Sequence, residues 1–253
     1  MVKRAKVFDW NRTIHPDKTD IQLHAQLGRK ILLETITDGQ KSPYNRALRT
    51  MELGVGTIEL TSALRRFKIG KITLEELNSI YNRRFICGQK TETVEKVIER
   101  YAQKCAKNVD QRVLGAIKET RWQDEVVAIL SASIDVSIRK MLEILDAGEL
   151  FDTIIANQLI SEGEVVLGVT SRIYGSKREE MEKFARENHI QLDNIVYMGD
   201  CEDDAAIAPI LKRGSFIVSF MAEERFKEEM ARKHGAFVPK DERDLTKYLR
   251  LKS

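Results

Sequence analysis

The segment from Asn194 to Asp200 decides the fold, because the apolar run Ile195-Val196-Tyr197-Met198 ends there in Gly199-Asp200. The start of the chain has the same arrangement, with Lys6-Val7-Phe8 directly before Asp9. Short apolar runs bounded by turn residues are typical of buried strands. Both segments are therefore predicted to be strands that carry a carboxylate directly after the last strand residue.

Further candidate strands alternate with helices in the second half of the chain. The candidate extended segments are residues 126–130, 151–155, 164–170 and 215–219, of which 164–170 is predicted to be a short extended pair or flap. A helix between the first two has Ile138, Met141, Leu142 and Leu145 on one face. Another helix is predicted to begin at Ser176, with Glu179 completing a capping box. This alternation predicts an α/β fold with a parallel sheet covered on both faces.

Residues 16–118 have helical periodicity instead. Apolar residues recur at helical spacing in two runs, Leu23, Leu27 and Ile31, then Val94, Val97, Ile98, Tyr101 and Cys105. Thr73 and Glu76 have the spacing of a capping box, and Ile72 and Leu77 that of a hydrophobic staple. We therefore expect an α/β core domain from residues 1–15 and 119–253, with residues 16–118 inserted as an all-helical cap domain.

Composition excludes several classes of partner. The chain has 253 residues, 42 Lys plus Arg and 39 Asp plus Glu, so the net charge of +3 does not favour nucleic acid or a membrane as partner. No segment approaches the ~20 apolar residues of a membrane span. The three cysteines have no metal-binding spacing, which favours reduced thiols and a cytoplasmic location. The oligomeric state is left open.

Four side chains are predicted to meet at one edge of the sheet. Asp9, Ser131 and Asp200 follow predicted strands, and ligands bind at the carboxyl ends of parallel strands. Lys177 lies in the first turn of a helix, where a lysine is unfavourable unless it faces an anion. Two carboxylates, a hydroxyl and a lysine suit a phosphate group with Mg²⁺. Arg172 is an alternative cation in the same loop.

At this point the sequence resembles the haloacid dehalogenase-like (HAD) hydrolase superfamily. Residues 9–13, Asp-Trp-Asn-Arg-Thr, are similar to its first motif, DxDxT, and Ser131 and Lys177 match the second and third. Residues 199–204, Gly-Asp-Cys-Glu-Asp-Asp, match the fourth, GDxxxD. The segments 131–133 and 151–157 are most similar to the phosphoserine-phosphatase-like branch, and residues 16–118 lie where that branch has its helical C1 cap. The resemblance implies a HAD-like Rossmannoid core with an inserted helical cap.

The resemblance also implies roles for single residues. Asp9 is expected to be the nucleophile and a metal ligand, and Asp200 and the backbone carbonyl of Asn11 complete the protein ligands of Mg²⁺. Asp204 is expected to act near the metal, directly or through water, although it could merely cap the next helix. Ser131 and Lys177 are expected to bind the phosphoryl group. Thr13 would support the turn after Asp9.

Asn11 departs from the family pattern. The family has an aspartate there, which protonates the leaving group and activates water, whereas an amide has no ionisable proton. Loss of general acid–base help typically costs ~10²–10⁴-fold in rate. His15 is a candidate substitute donor, since its unperturbed pKa is about 6.5, although an exposed loop histidine is the preferred interpretation. Arg12 occupies a position where the family often has glycine.

Three functions remain open at this level. The first is a Mg²⁺-dependent phosphohydrolase that acts on a small phosphorylated metabolite through an aspartyl-phosphate. The second is a non-catalytic or regulatory protein that binds Mg²⁺ or a phosphorylated ligand, which Asn11 favours. The third is a hydrolase of carbon–halogen or carbon–phosphorus bonds, and Asp200 argues against dehalogenation because that reaction needs no metal.

Some further residues are given structural interpretations. The basic run Arg65, Arg66, Lys68 and Lys71 is interpreted as a solvated helix end in preference to an anion site. Cys201 is interpreted as a small filler residue and Trp10 as a core or cap contact.

Overall fold

A computed structural model describes residues 3–16, 58–59, 61–67, 69–170, 172–173 and 175–252. Its centre is a five-stranded sheet with the order β3-β2-β1-β6-β7, in which every paired neighbour is parallel. These strands are β1 (Arg4–Phe8), β2 (Glu125–Ile134), β3 (Thr153–Asn157), β6 (Ile195–Gly199) and β7 (Phe216–Val218). The expected α/β fold with a parallel sheet is confirmed.

Helices cover the sheet. The longer ones are α1 (Leu74–Tyr81), α2 (Thr91–Cys105), α3 (Gln111–Thr120), α4 (Asp135–Ile144), α5 (Lys177–Glu187), α7 (Glu224–His234) and α8 (Glu242–Lys252), and α6 (Glu202–Ala205) is a single turn. Among the described residues, no helix is long and apolar enough to cross a membrane.

Both faces of the sheet are buried, and the alternation of side chains along β1 shows how. Ala5 and Val7 pack in one apolar cluster with residues of α5 and α7, such as Phe184 and Met230. Phe8 packs on the opposite face, in a cluster that includes residues of α2, α3, α4 and α8. Because neither face of the central strands meets solvent, β2 and β6 contain unbroken apolar runs, whereas β1 includes the buried charged residue Lys6.

Two extended segments differ in detail from the expectation. Strand β2 continues past the apolar run 126–130 as far as Ile134, with irregular pairing to β3 between Leu130 and Ile134. The extended pair expected at 164–170 is an antiparallel hairpin of β4 (Leu159–Glu162) and β5 (Val165–Val169), which begins earlier than predicted. It lies directly after β3, at the carboxyl edge of the sheet.

The capping box before α1 is confirmed. The Thr73 backbone N–H donates to the Glu76 carboxylate (2.7 Å), and the Glu76 N–H donates to the Thr73 hydroxyl (3.1 Å). Ile72 and Leu77 beside it are buried, as a hydrophobic staple requires. The box predicted at Ser176 and Glu179 does not form. Ser176 lies at the N-terminus of α5 without a side-chain cap, because its hydroxyl donates to the backbone carbonyl of Arg172.

The last two helices of the segment 16–118 contact the core. Helix α2 packs along α4, and α3 packs along α8. The apolar face predicted from Val94 to Cys105 is buried in these contacts. The run Leu23, Leu27 and Ile31 lies outside the described residues, so the division into a core and a cap of 16–118 stays a prediction.

Candidate active site

Asp9 and Asp200 follow neighbouring strands of the sheet. Strands β1 and β6 pair in the register Phe8 to Met198, and the Asp9 backbone N–H extends this pairing to the Met198 carbonyl (2.9 Å). Both carboxylates are buried. The carboxyl ends of the two central strands therefore hold two buried acidic groups at one edge, as the sequence predicts.

Lys177 connects the nucleophile position to the fourth motif. Its ammonium donates to Asp9 Oδ1 (2.9 Å) and to Asp204 Oδ1 (2.5 Å), and the side chain is only 4% exposed. The lysine is the first residue of α5, and its charge faces two carboxylates there. Arg172, the alternative cation, forms an ion pair with Glu180. The structure thus favours Lys177 as the lysine of this site.

Asp204 is held by several donors at once. Besides Lys177, the Tyr197 hydroxyl donates to its Oδ1 (2.5 Å). Its Oδ2 accepts from the backbone N–H groups of Asp200 (2.9 Å) and Cys201 (3.3 Å). These bonds fix the turn that presents Asp200. They favour a positioning role for Asp204, while its predicted action near the metal remains an expectation.

The charges of the pocket are unbalanced. Burial raises the pKa of Asp9 well above its usual range; Lys177 acts against this shift, and the carboxylates of Asp204 and Asp200 add to it. Burial alone would lower the pKa of Lys177, but Asp204 and Asp9 hold it well above its ordinary value. Lys177 contacts Asp9 and Asp204, and Arg12 Nε lies 3.5 Å from Asp200 Oδ2, so three buried carboxylates face two cations. A further cation would stabilise this arrangement.

The oxygens of this pocket suit a hard cation. Asp9 and Asp200 offer carboxylates, and Mg²⁺ takes oxygen ligands of this kind. Asp200, Cys201 and Asp204 also have potential ligand atoms within 4.8 Å of one another. The Cys201 thiol is a poor ligand for such an ion, because burial and the nearby Asp204 carboxylate raise its pKa far above the ordinary value. This protonated, half-buried thiol agrees with its interpretation as a filler residue.

Asn11 and Ser131 are linked through Ser133. The Asn11 Nδ2 lies 2.9 Å from the Ser133 hydroxyl, and Asn11 Oδ1 lies 3.2 Å from the same oxygen. The Ser133 backbone N–H donates to the Ser131 hydroxyl (3.2 Å). Strand β1 pairs with β2 in the register Phe8 to Ile129, so Ser131 lies close to the level of Asp9. The sequence analysis did not identify this contact of Ser133.

The turn after Asp9 is tightly hydrogen-bonded. The Trp10 carbonyl accepts hydrogen bonds from three backbone N–H groups, those of Thr13, Ile14 and His15, with N···O distances of 3.4, 3.0 and 2.8 Å. Trp10 is buried in the core, as expected. The preferred interpretation of His15 as an exposed loop residue is wrong, because the side chain is fully buried. It stacks on Trp10, and its Nε2 lies 3.2 Å from the Cys105 carbonyl. These contacts tie the turn to the end of α2.

Two more polar residues of the site escaped the sequence analysis. Tyr197 was counted as an apolar strand residue, although a hydroxyl inside a buried strand needs a partner, here Asp204. The Asn157 amide donates to the Ala132 carbonyl (2.6 Å) and accepts from the Ile173 N–H (3.2 Å). Asn157 thereby ties β2 to the loop before α5. Its position as a polar residue at the end of a strand was the available signal.

The basic run of the cap does not approach this site in the described part of the chain. Arg65, Arg66 and Lys71 are exposed, in agreement with a solvated helix end, and Lys68 lies outside the described residues.

The fold and the site together define a class of α/β proteins. A parallel sheet with β1 at its centre brings Asp9, Lys177, Asp200 and Asp204 to one carboxyl edge. A family model described as haloacid dehalogenase-like hydrolase matches residues 7–209. The chain therefore belongs to the haloacid dehalogenase-like hydrolases.

Solved structures share this fold over the whole chain. A phosphoserine phosphatase described as a phospho-aspartyl intermediate analogue is 21% identical, with a TM-score of 0.60 and coverage of 98% of this chain and 99% of the other. A protein of unknown function from Bordetella pertussis Tohama I is 11% identical, with a TM-score of 0.66 and coverage of 94% and 98%. A search of curated protein sequences gives no match. The expected phosphoserine-phosphatase-like fold is confirmed.

Proposed function

We propose that the protein is a cytoplasmic, Mg²⁺-dependent phosphohydrolase that acts on a small phosphorylated metabolite. The observation that carries this proposal is the contact of Lys177 with both Asp9 and Asp204 at the carboxyl edge of the sheet. A lysine buried against a carboxylate nucleophile is suited to bind the phosphoryl oxygens once substrate enters.

Asp9 is the proposed nucleophile. Its carboxylate attacks phosphorus, the bond to the leaving oxygen breaks, and water then hydrolyses the aspartyl-phosphate. Lys177 and Ser131 hold the equatorial oxygens, on which charge accumulates in the transition state. Asp204 keeps Lys177 and the Asp200 loop in place through hydrogen bonds from Lys177, Tyr197 and the backbone N–H groups of Asp200 and Cys201.

Mg²⁺ fits the donor set of Asp9, Asp200 and the Asn11 carbonyl. When bound, it would neutralise charge on the phosphate and on the carboxylates. The excess of buried carboxylates over lysine supports this assignment, because burial and the carboxylates of Asp204 and Asp200 hold the pKa of Asp9 high without a further cation. The ionised carboxylate that acts as nucleophile is the form that such a cation favours.

A phosphatase screen with and without Mg²⁺ tests the proposal. The substrates are p-nitrophenyl phosphate and a panel of phosphorylated metabolites that includes phosphoserine, which the fold neighbours suggest. We expect hydrolysis that needs Mg²⁺ and is lost in Asp9→Asn, a variant of the same shape. Hydrolysis that survives Asp9→Asn would overturn the proposal.

A non-catalytic binding protein is the second candidate. Asn11 favours it, because its amide contacts the Ser133 hydroxyl and brings no ionisable proton to the site. If wild type hydrolyses nothing, yet phosphate or a metabolite raises its melting temperature in the presence of Mg²⁺, this second candidate replaces the first.

A further inference from the structure

Arg12 has an unusual backbone conformation. Its φ is +55°, in the left-handed region that side chains other than glycine, asparagine and aspartate rarely adopt. The related family often has glycine at this position, which this conformation explains. An arginine that is kept in such a conformation is expected to make compensating contacts.

The contacts of Arg12 hold its guanidinium beside Asp200. Its Nε lies 3.5 Å from Asp200 Oδ2, and its Nη2 donates to the Met221 carbonyl (3.0 Å). The Ser219 hydroxyl donates to the Arg12 carbonyl (2.5 Å), and Glu223 lies 3.8 Å from Nη1. The loop after β7 thus fixes both the backbone and the charged group of Arg12.

This arrangement places the positive charge of Arg12 next to the Asp200 carboxylate. The Asp200 side chain is 4% exposed, while that of Arg12 is 24% exposed. The hydrogen bonds of the Lys177 ammonium go to Asp9 and Asp204, whereas Arg12 forms an ion pair with Asp200.

We propose that Arg12 is an internal counter-ion of Asp200 that competes with Mg²⁺ for this carboxylate and so weakens metal binding. The inference rests on the proposed function, because it takes Asp200 as a ligand of that metal. A divalent cation bound to Asp200 would be repelled by the positive charge of Arg12, and the two cations would compete for the same carboxylate. Binding of the metal and pairing of Arg12 with Asp200 are therefore negatively coupled.

Metal titration tests the competition directly. Mg²⁺ affinity is measured by isothermal titration calorimetry, and Mn²⁺ affinity by electron paramagnetic resonance, on wild type, Arg12→Gly and Arg12→Lys. Glycine adopts the left-handed conformation freely. We expect Arg12→Gly to bind both ions about 10-fold more tightly, within the usual range of coupling between sites. Arg12→Lys keeps the charge and is expected to stay within about threefold of wild type.

Melting temperature provides a second readout that does not depend on activity. Without metal, Arg12→Gly is expected to have a lower melting temperature than wild type, because Asp200 loses its counter-ion. Added Mg²⁺ is expected to raise the melting temperature of this variant more than that of wild type. Arg12→Asn repeats the comparison with another uncharged residue that tolerates this backbone. Arg172→Gln is the matched control, since exposed Arg172 pairs with Glu180, and the metal affinity of this variant is expected to equal that of wild type.

The outcomes separate this inference from the proposed function. If wild type, Arg12→Gly and Arg12→Asn bind Mg²⁺ equally well, and Asp200→Asn loses it, the metal site stands and the inference is wrong. If none of them binds Mg²⁺ or Mn²⁺, the proposed metal site fails and the inference fails with it.

Discussion

Among the described residues, two lysines are buried, Lys6 and Lys177, and their surroundings differ in charge balance. Lys6 lies in β1 and forms an ion pair with Glu125, the first residue of β2, at 2.7 Å, and it donates to the Thr120 carbonyl at 2.6 Å. Lys177 lies at the other edge of the sheet and contacts Asp9 and Asp204. Burial lowers the pKa of Lys6, against the effect of Glu125. The two carboxylates around Lys177 outweigh its burial and raise its pKa.

The balance of charge distinguishes the two sites. We interpret the Lys6–Glu125 pair as structural and the Lys177 site as functional. At the Lys6 end, one lysine meets one carboxylate, so the charges cancel and β1 is tied to the end of α3. At the Lys177 end, three buried carboxylates face two cations, Lys177 and Arg12, so one negative charge is left that a further cation can balance. Perturbed pKa values are found in both kinds of site, so the charge balance, rather than burial, distinguishes them here.

The same substitution at both lysines tests this comparison most strongly. Lys177→Met is expected to lower phosphatase kcat by about 10²–10³-fold, because it removes a donor to the phosphoryl oxygens. Without Mg²⁺ it is also expected to lower the melting temperature, because Asp9 and Asp204 are left close together without their lysine. Added Mg²⁺ is expected to restore part of that stability. A Lys177→Met variant with normal kcat would remove Lys177 from the reaction.

Lys6→Met is expected to have the reverse profile. Removing one partner of a buried ion pair typically costs about 3–5 kcal/mol in the free energy of unfolding. The kcat of the folded enzyme is expected to stay within about twofold of wild type. Urea unfolding measures the first quantity, and steady-state kinetics at low temperature measure the second.

A double variant serves as control for the Lys6 prediction. Lys6→Met with Glu125→Leu leaves no unpaired charge and is expected to recover most of the lost stability. If the single variant is as stable as wild type, the Lys6–Glu125 pair contributes nothing to the fold, and the contrast between the two lysines is lost.

Gly199→Ala tests how Asp204 is held at the Lys177 site, with a smaller expected effect. A Cβ on this glycine would lie 2.5 to 2.6 Å from atoms of the Asp204 side chain, so Gly199→Ala must displace Asp204 from its hydrogen-bond donors. We expect a loss of about 1–3 kcal/mol in the free energy of unfolding together with reduced kcat. Gly148→Ala is the matched control, because a Cβ there meets nothing within 4 Å. Equal effects of the two substitutions would contradict this account.

The sequence predicts the sheet and the charged residues of the site well, for a physical reason. Buried parallel strands need apolar side chains on both faces, so β2 and β6 appear as continuous apolar runs, and the residues that follow the strands must lie at one edge. Asp9 and Asp200 could be found by this reasoning alone. The extension of β2 to Ile134 could not, because Ser131-Ala132-Ser133 resembles the polar end of a strand.

The partners inside the site were harder to predict. The contact of Asn11 with Ser133 joins residues 122 positions apart, and that of Ser219 with the Arg12 carbonyl joins residues 207 apart. No short sequence pattern indicates either of these contacts. His15 was misjudged because a histidine before a proline is typical of an exposed loop, whereas the turn around Trp10 buries it. The helical cap stays a prediction, because much of the segment 16–118 lies outside the described residues.

Asn11 is expected to give the smallest effect and the most specific one. Asn11→Asp places a carboxylic acid of nearly the same shape beside the Ser133 hydroxyl, which can donate to it. An acid at this position helps a poor leaving group by protonating it, while an aryl oxygen departs without that help. We therefore expect kcat for alkyl phosphates to rise about 10-fold, given the usual size of acid–base effects, and kcat for p-nitrophenyl phosphate to change less.

The ratio of the two rates is the decisive measurement, because it cancels errors in active enzyme concentration. Ser133→Ala in the Asn11→Asp background controls for orientation: it removes the hydroxyl beside residue 11 and is expected to reduce the gain on alkyl phosphates. An inactive wild type that gains activity through Asn11→Asp would favour the binding protein over the enzyme. If wild type hydrolyses alkyl phosphates rapidly and Asn11→Asp slows that reaction, Asn11 belongs to another proton route, and the role inferred for this position is wrong.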